Sequence, residues 1–92
     1  MRRDIVVVRG RVQGVGFRYT VLEIARRFPV SGTVCNLRTG EVEIDVEGDD
    51  AAVDAFVNAV MQTPPRGAHV DGVTRKSAEP RYVDGFNVAR DR

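Results

Sequence analysis

This sequence predicts an α+β fold: an antiparallel sheet with two helices on one face, in the order strand, helix, strand, strand, helix, strand. Three observations point there. The run Ile5-Val6-Val7-Val8 is β-branched throughout; Val42, Ile44 and Val46 alternate with Glu41, Glu43, Asp45 and Glu47; and Val21 to Phe28 and Val53 to Met61 carry apolar residues at helical spacing. A chain of 92 residues can build one core between two layers but not two, so residues 1–92 are expected to form one domain that folds unaided.

The first strand is expected over about Asp4 to Val12, its dense β-branched run fitting a central position in the sheet. After a glycine-bearing turn, Val21, Leu22, Ala25 and Phe28 recur with Glu23, Arg26 and Arg27 opposite them. This helix begins at Phe17 or Arg18 and runs up to Pro29, which disfavours helical geometry at Phe28. Val30 to Leu37 forms a second strand that meets the hairpin turn Arg38-Thr39-Gly40. The third strand has one buried face and one solvated face of carboxylates. Asp49 or Asp50 caps a second helix, in which Val53, Phe56, Val57, Val60 and Met61 share a face. Thr63 to Gly67 is a loop, Ala68 to Ser77 a fourth strand, and Phe86 and Val88 mark a short last one. The order is that of the ferredoxin-like split βαβ sandwich, βαββαβ.

Lys and Arg number 14 against 13 Asp and Glu, a net charge of +1, so bulk attraction to nucleic acid or an anionic membrane is not expected. No apolar run is long enough to cross a membrane or act as a signal peptide, and the single cysteine, Cys35, fits a reducing compartment. A cytoplasmic, free-standing monomer is the expectation.

The turn after the first strand reads Gly10-Arg11-Val12-Gln13-Gly14-Val15-Gly16-Phe17-Arg18. It lacks the Gly-Lys-Ser/Thr of a P-loop, and Tyr19 stands where a dinucleotide fingerprint needs its third glycine. What remains is a strand-to-helix turn whose backbone amides and helix N-terminus can cradle one oxyanion, with Arg18 adding a planar fork of donors. On the loop alone, a tight turn required only by geometry is the alternative reading.

The nine residues from Gly10 to Arg18 resemble the signature of the acylphosphatase family. A second signature is similar to Gly32-Thr33-Val34-Cys35-Asn36-Leu37-Arg38-Thr39-Gly40-Glu41-Val42, except that Thr33 replaces an aromatic residue and Cys35 a basic one. The resemblance implies hydrolysis of small-molecule acyl phosphates to a carboxylate and inorganic phosphate. It implies that the loop Gln13, Gly14, Val15, Gly16, Phe17 and Arg18 cradles the phosphate, that Arg18 binds it, and that Asn36 orients the attacking water. By strand alternation Thr33 and Cys35 face away from Val34 and Asn36, so the departures bear on local packing and electrostatics, and through them on stability and substrate affinity, more than on the reaction type.

The implied chemistry suits the residue inventory. A carboxylate leaving group, with a conjugate acid of pKa about 4, departs without protonation. Phosphoryl transfer then requires positioning and charge stabilisation, and neither a metal nor another cofactor is expected. His69 is expected at a strand edge, Cys35 as a small buried hydrophobe, and Phe17 as the anchor of the first helix. The basic pairs Arg2-Arg3, Arg26-Arg27 and Arg75-Lys76 are expected on the surface, contributing little individually. Two other functions stay open on the residues alone: a catalytically silent anion-binding domain, and an RNA-binding module, which the acidic third strand disfavours.

Overall fold

The β-branched run lies inside the sheet. In the computed structural model, which describes residues 1–92, β1 (Arg2–Arg11) pairs antiparallel with both β3 (Val42–Gly48) and β4 (His69–Ala78). β2 (Val30–Asn36) flanks β3 on its other side, and β5 (Phe86–Val88) adds to β2, giving the order β4-β1-β3-β2-β5. The four longer strands are antiparallel as expected. β5 departs from the all-antiparallel expectation by running parallel to β2, because residues 79–85 recross the sheet before joining its edge.

Helices α1 (Phe17–Ala25) and α2 (Asp50–Gln62) cover one face. Beneath them Val6, Val8, Val34, Val42, Ile44 and Val46 are essentially inaccessible, and Val21, Ile24, Val53, Phe56 and Val60 close over them. Phe56 lies 5.5 Å from Phe86 and 6.2 Å from Phe28, ring centre to ring centre. Through Phe86 the short last strand therefore packs against the core.

Three expectations need correction. First, α1 ends at Ala25 rather than continuing to Phe28. The amides of Arg27 and Phe28 bond three residues back, to Ile24 and Ala25, and this tighter winding brings the chain to Pro29. Second, Asp49 takes the N-cap position of α2 without a side-chain cap bond.

Third, the carboxylate face of β3 is not solvated. Asp45 is 6% exposed and Glu47 3%. The segment after β4 crosses this face: the amides of Arg81 and Val83 donate to Glu47 at 3.0 and 3.2 Å, and the Arg81 side chain donates to Asp45 at 3.1 Å. Arg3 grips Asp45 with a fork of 2.9 and 2.8 Å, and Arg92 pairs with Glu43. Arg26-Arg27 is exposed as expected, but Arg2 and Arg75 are not idle surface charges, since both bind Asp4, which is wholly buried on the helix-bearing face. His69 opens the edge strand β4, exposed, and Cys35 is buried, both as expected.

Burial alone would raise the carboxyl groups of Asp4 and Asp45. Hydrogen bonds from Arg75 and Arg2, and from Arg3, outweigh it and hold both below the usual carboxylate range. A carboxylate depressed in the folded state contributes stability above its unfolded value, and that contribution is lost as pH falls through the folded value. The urea midpoint is therefore expected to decline as pH drops below about 4, and Asp45→Asn to flatten that acid limb; an unaltered limb would count against the pairing. Arg75→Ala leaves Asp4 buried with Arg2 alone and is expected to cost about 3 kcal/mol in urea unfolding.

Candidate functional site

β1 and β2 both run antiparallel to β3, so their C-terminal ends emerge on the same side of the sheet. The turn after β1 and Asn36 at the end of β2 therefore meet there. A hollow of about 210 Å³ lies between them, lined by Val12, Gly14, Gly16, Phe17, Arg18, Tyr19 and Asn36.

Gly14 and Gly16 both have positive φ, 72° and 81°, and Gly16 is the N-cap of α1 in a left-handed conformation. Left-handed backbone is what turns the chain from strand into helix here, and other residues adopt it at a cost. The first helical bond is made by the Thr20 amide to the Gly16 carbonyl, and the six amides from Gly14 to Tyr19 donate to no protein acceptor. Six consecutive free N–H groups at a helix N-terminus make a site for an anion. Phe17, 2% exposed, pins the start of the helix into the core as expected.

Arg18 projects at the mouth, partly exposed, and donates to Asp91 at 3.3 Å. Asp91 arrives because residues after β5 continue alongside β2: Ala89 donates to the Val34 carbonyl, Arg92 to that of Asn36, and Arg38 to that of Arg92. The polar tail carries no pattern that would have marked it as a wall of this site.

Asn36 is 9% exposed, and its Oδ1 is buried with no hydrogen-bond partner. A buried amide oxygen left unpaired is uncommon and calls for an explanation. Gln13 belongs to the loop by position, but its side chain is a strut: Nε2 donates to the carbonyls of Leu37 at 2.8 Å and Glu41 at 2.9 Å. It ties the loop to the β2–β3 hairpin and so sets the distance between Arg18 and Asn36. The signal for this was available, since Gln13 is the one polar side chain between Val12 and Arg18. Val15 packs against the core instead of lining the hollow. Cys35 and Thr33 lie on the opposite face of β2, paired across from Glu43 and Asp45, and Cys35 accepts from Arg92. No group of three or more His, Cys, Asp or Glu side chains is placed to hold a metal ion, and no helix is long and apolar enough to cross a membrane.

Residues 5–88 match the family model described as acylphosphatase. The chain is 43% identical over 84 residues to an acylphosphatase of Archaeoglobus fulgidus, covering 91% of this chain and 93% of that one. Among solved structures, an acylphosphatase from Bacillus subtilis superposes with a TM-score of 0.91 at 33% identity, covering 97% of this chain and 99% of that one. Full-length HypF, in a phosphate- and nucleotide-bound form, superposes with a TM-score of 0.91 at 28% identity; the match covers 98% of this chain but 12% of HypF.

The left-handed N-cap is directly testable. Gly16→Ala is expected to lower stability by about 1–2 kcal/mol in urea unfolding, and Gly16→Asn to lose less, because Asn tolerates this conformation. Equal losses would show that the backbone angle is not the constraint.

Proposed function

The chain belongs to the acylphosphatase family and is a hydrolase of acyl phosphates, and from that premise we propose how its residues divide the work. The loop from Gln13 to Arg18 receives the phosphoryl group on its free amides, and the Arg18 guanidinium turns from Asp91 to bind two phosphoryl oxygens. Asn36 Oδ1 accepts a hydrogen bond from a water and holds it in line with phosphorus and the acyl oxygen. As the water oxygen bonds to phosphorus, the bond from phosphorus to the acyl oxygen breaks. The carboxylate leaves as an anion, and the water proton passes to a phosphoryl oxygen. Neither a general acid nor a metal is needed, because the leaving group is weakly basic and the developing charge falls on atoms that the amides and Arg18 contact.

One observation carries this reading: Asn36, whose amide Oδ1 no protein group uses, lines the same hollow as Gly14, Gly16 and Arg18. A silent domain draws its support from Thr33 and Cys35, whose strand positions place them on the far side of the sheet. We further read residues 1–92 as one domain acting as a cytoplasmic monomer on a small molecule, without nucleic acid or membrane. Cys35 is a buried free thiol, the net charge is +1, and the edge strand β4 carries Arg75 and Lys76, which discourage pairing with another edge.

With acetyl phosphate as substrate and EDTA present, Asn36→Ala is expected to lose on the order of 10²-fold or more in kcat while inorganic phosphate still inhibits. Arg18→Lys is expected to lose turnover and phosphate inhibition together. Undiminished turnover in either variant would overturn the assignment.

A further inference from the structure

Phosphoryl chemistry leaves the larger hollow beside the cradle without a role. It measures about 500 Å³ against about 210 Å³, and Arg18 and Tyr19 line both, so the two adjoin at these side chains. Its other walls are Leu22 and Arg26 from α1 and Phe86, Asn87 and Val88 from β5. Tyr19 and Val88 are among the few large apolar side chains that the fold leaves exposed. Arg26 pairs with Glu23 on the exposed surface of α1, its guanidinium 2.6 Å from the carboxylate, so this wall carries little net charge.

An acyl phosphate held by its phosphoryl group must direct its acyl portion out of the cradle, and the trough begins there. We propose that the trough binds the acyl portion, and that Leu22 and Val88 favour uncharged aromatic or multi-carbon acyl groups over acetyl. This rests on the assignment of the cradle to the phosphoryl group. An acetyl group is far smaller than a space of this size, which lies in the range of small-molecule sites. A benzoyl group would cover apolar surface on both walls, and binding energy remote from phosphorus would appear in kcat/KM.

The experiment compares kcat/KM for benzoyl phosphate and acetyl phosphate in the native protein, Leu22→Gln and Val88→Asn. The two leaving carboxylates are of similar basicity, so the ratio reports contacts to the acyl group. The native protein is expected to favour benzoyl phosphate by about tenfold. Each variant is expected to lose most of that preference, with the inhibition constant of inorganic phosphate unchanged. Val88 is exposed, so its variant keeps the test open if Leu22→Gln fails to fold. A native preference for neither substrate, or an unmoved ratio in Val88→Asn, overturns the trough and leaves the phosphate site standing. Absence of acetyl phosphate hydrolysis by the native protein would instead overturn the cradle and the trough with it.

Discussion

Val42 pairs with Val8 on one side and with Asn36 on the other, and the site depends on that row of three residues. Two strand spacings, about 10 Å, separate β1 from β2, and β3 fills the gap. The loop that leaves β1 and the amide on β2 can face each other only because both strands are held in register by the same neighbour. A slip of one residue in β2 would turn Asn36 to the opposite face and bring Cys35 or Leu37 toward the loop. Gln13 guards the same geometry from above, joining the loop to the hairpin that carries this register.

Charge is organised around two buried carboxylates that pair with arginines, Asp4 and Asp45, one on each face of the sheet. Asp4 lies under α2 with Arg75 and Arg2, while Asp45 lies beneath the crossing segment with Arg3 and Arg81. Neither pair needs to be a large source of net stability, since desolvating an ion pair offsets much of its attraction. Their structural consequence is positional. Asp45 and Glu47 hold residues 79–83 across the sheet, and from there the chain reaches its edge as β5 and continues to Asp91 beside Arg18. The acidic strand and the site's outer wall are thus mechanically connected.

The cradle itself is mostly backbone. Its donors are amides that a helix N-terminus leaves unpaired, so its construction relies on the conformation of Gly14 and Gly16 more than on side-chain chemistry. Two side chains add what amides lack. In the proposed mechanism Arg18, paired with Asp91 in this structure, would add a full positive charge, and Asn36 an acceptor that no protein group uses.

The sequence by itself determined the elements and the glycine turn that joins β1 to α1, because those follow from local rules. Alternation of Val42, Ile44 and Val46, helical spacing around Val21 and Val53, and glycines at a strand-to-helix turn each constrain a few neighbouring residues. It also supplied the family, through two signatures spanning Gly10–Arg18 and Gly32–Val42. Only the tertiary structure decided what covers each polar surface. Period two identifies Glu43, Asp45 and Glu47 as one face but cannot say that Arg3, Arg81 and Arg92 will bury it, since those partners lie 36 to 49 residues away. Asp91 at Arg18, Gln13 on the hairpin and the trough between α1 and β5 are likewise products of chain segments distant in sequence. No local pattern records them, because they arise where the closed sheet brings its edges and ends together.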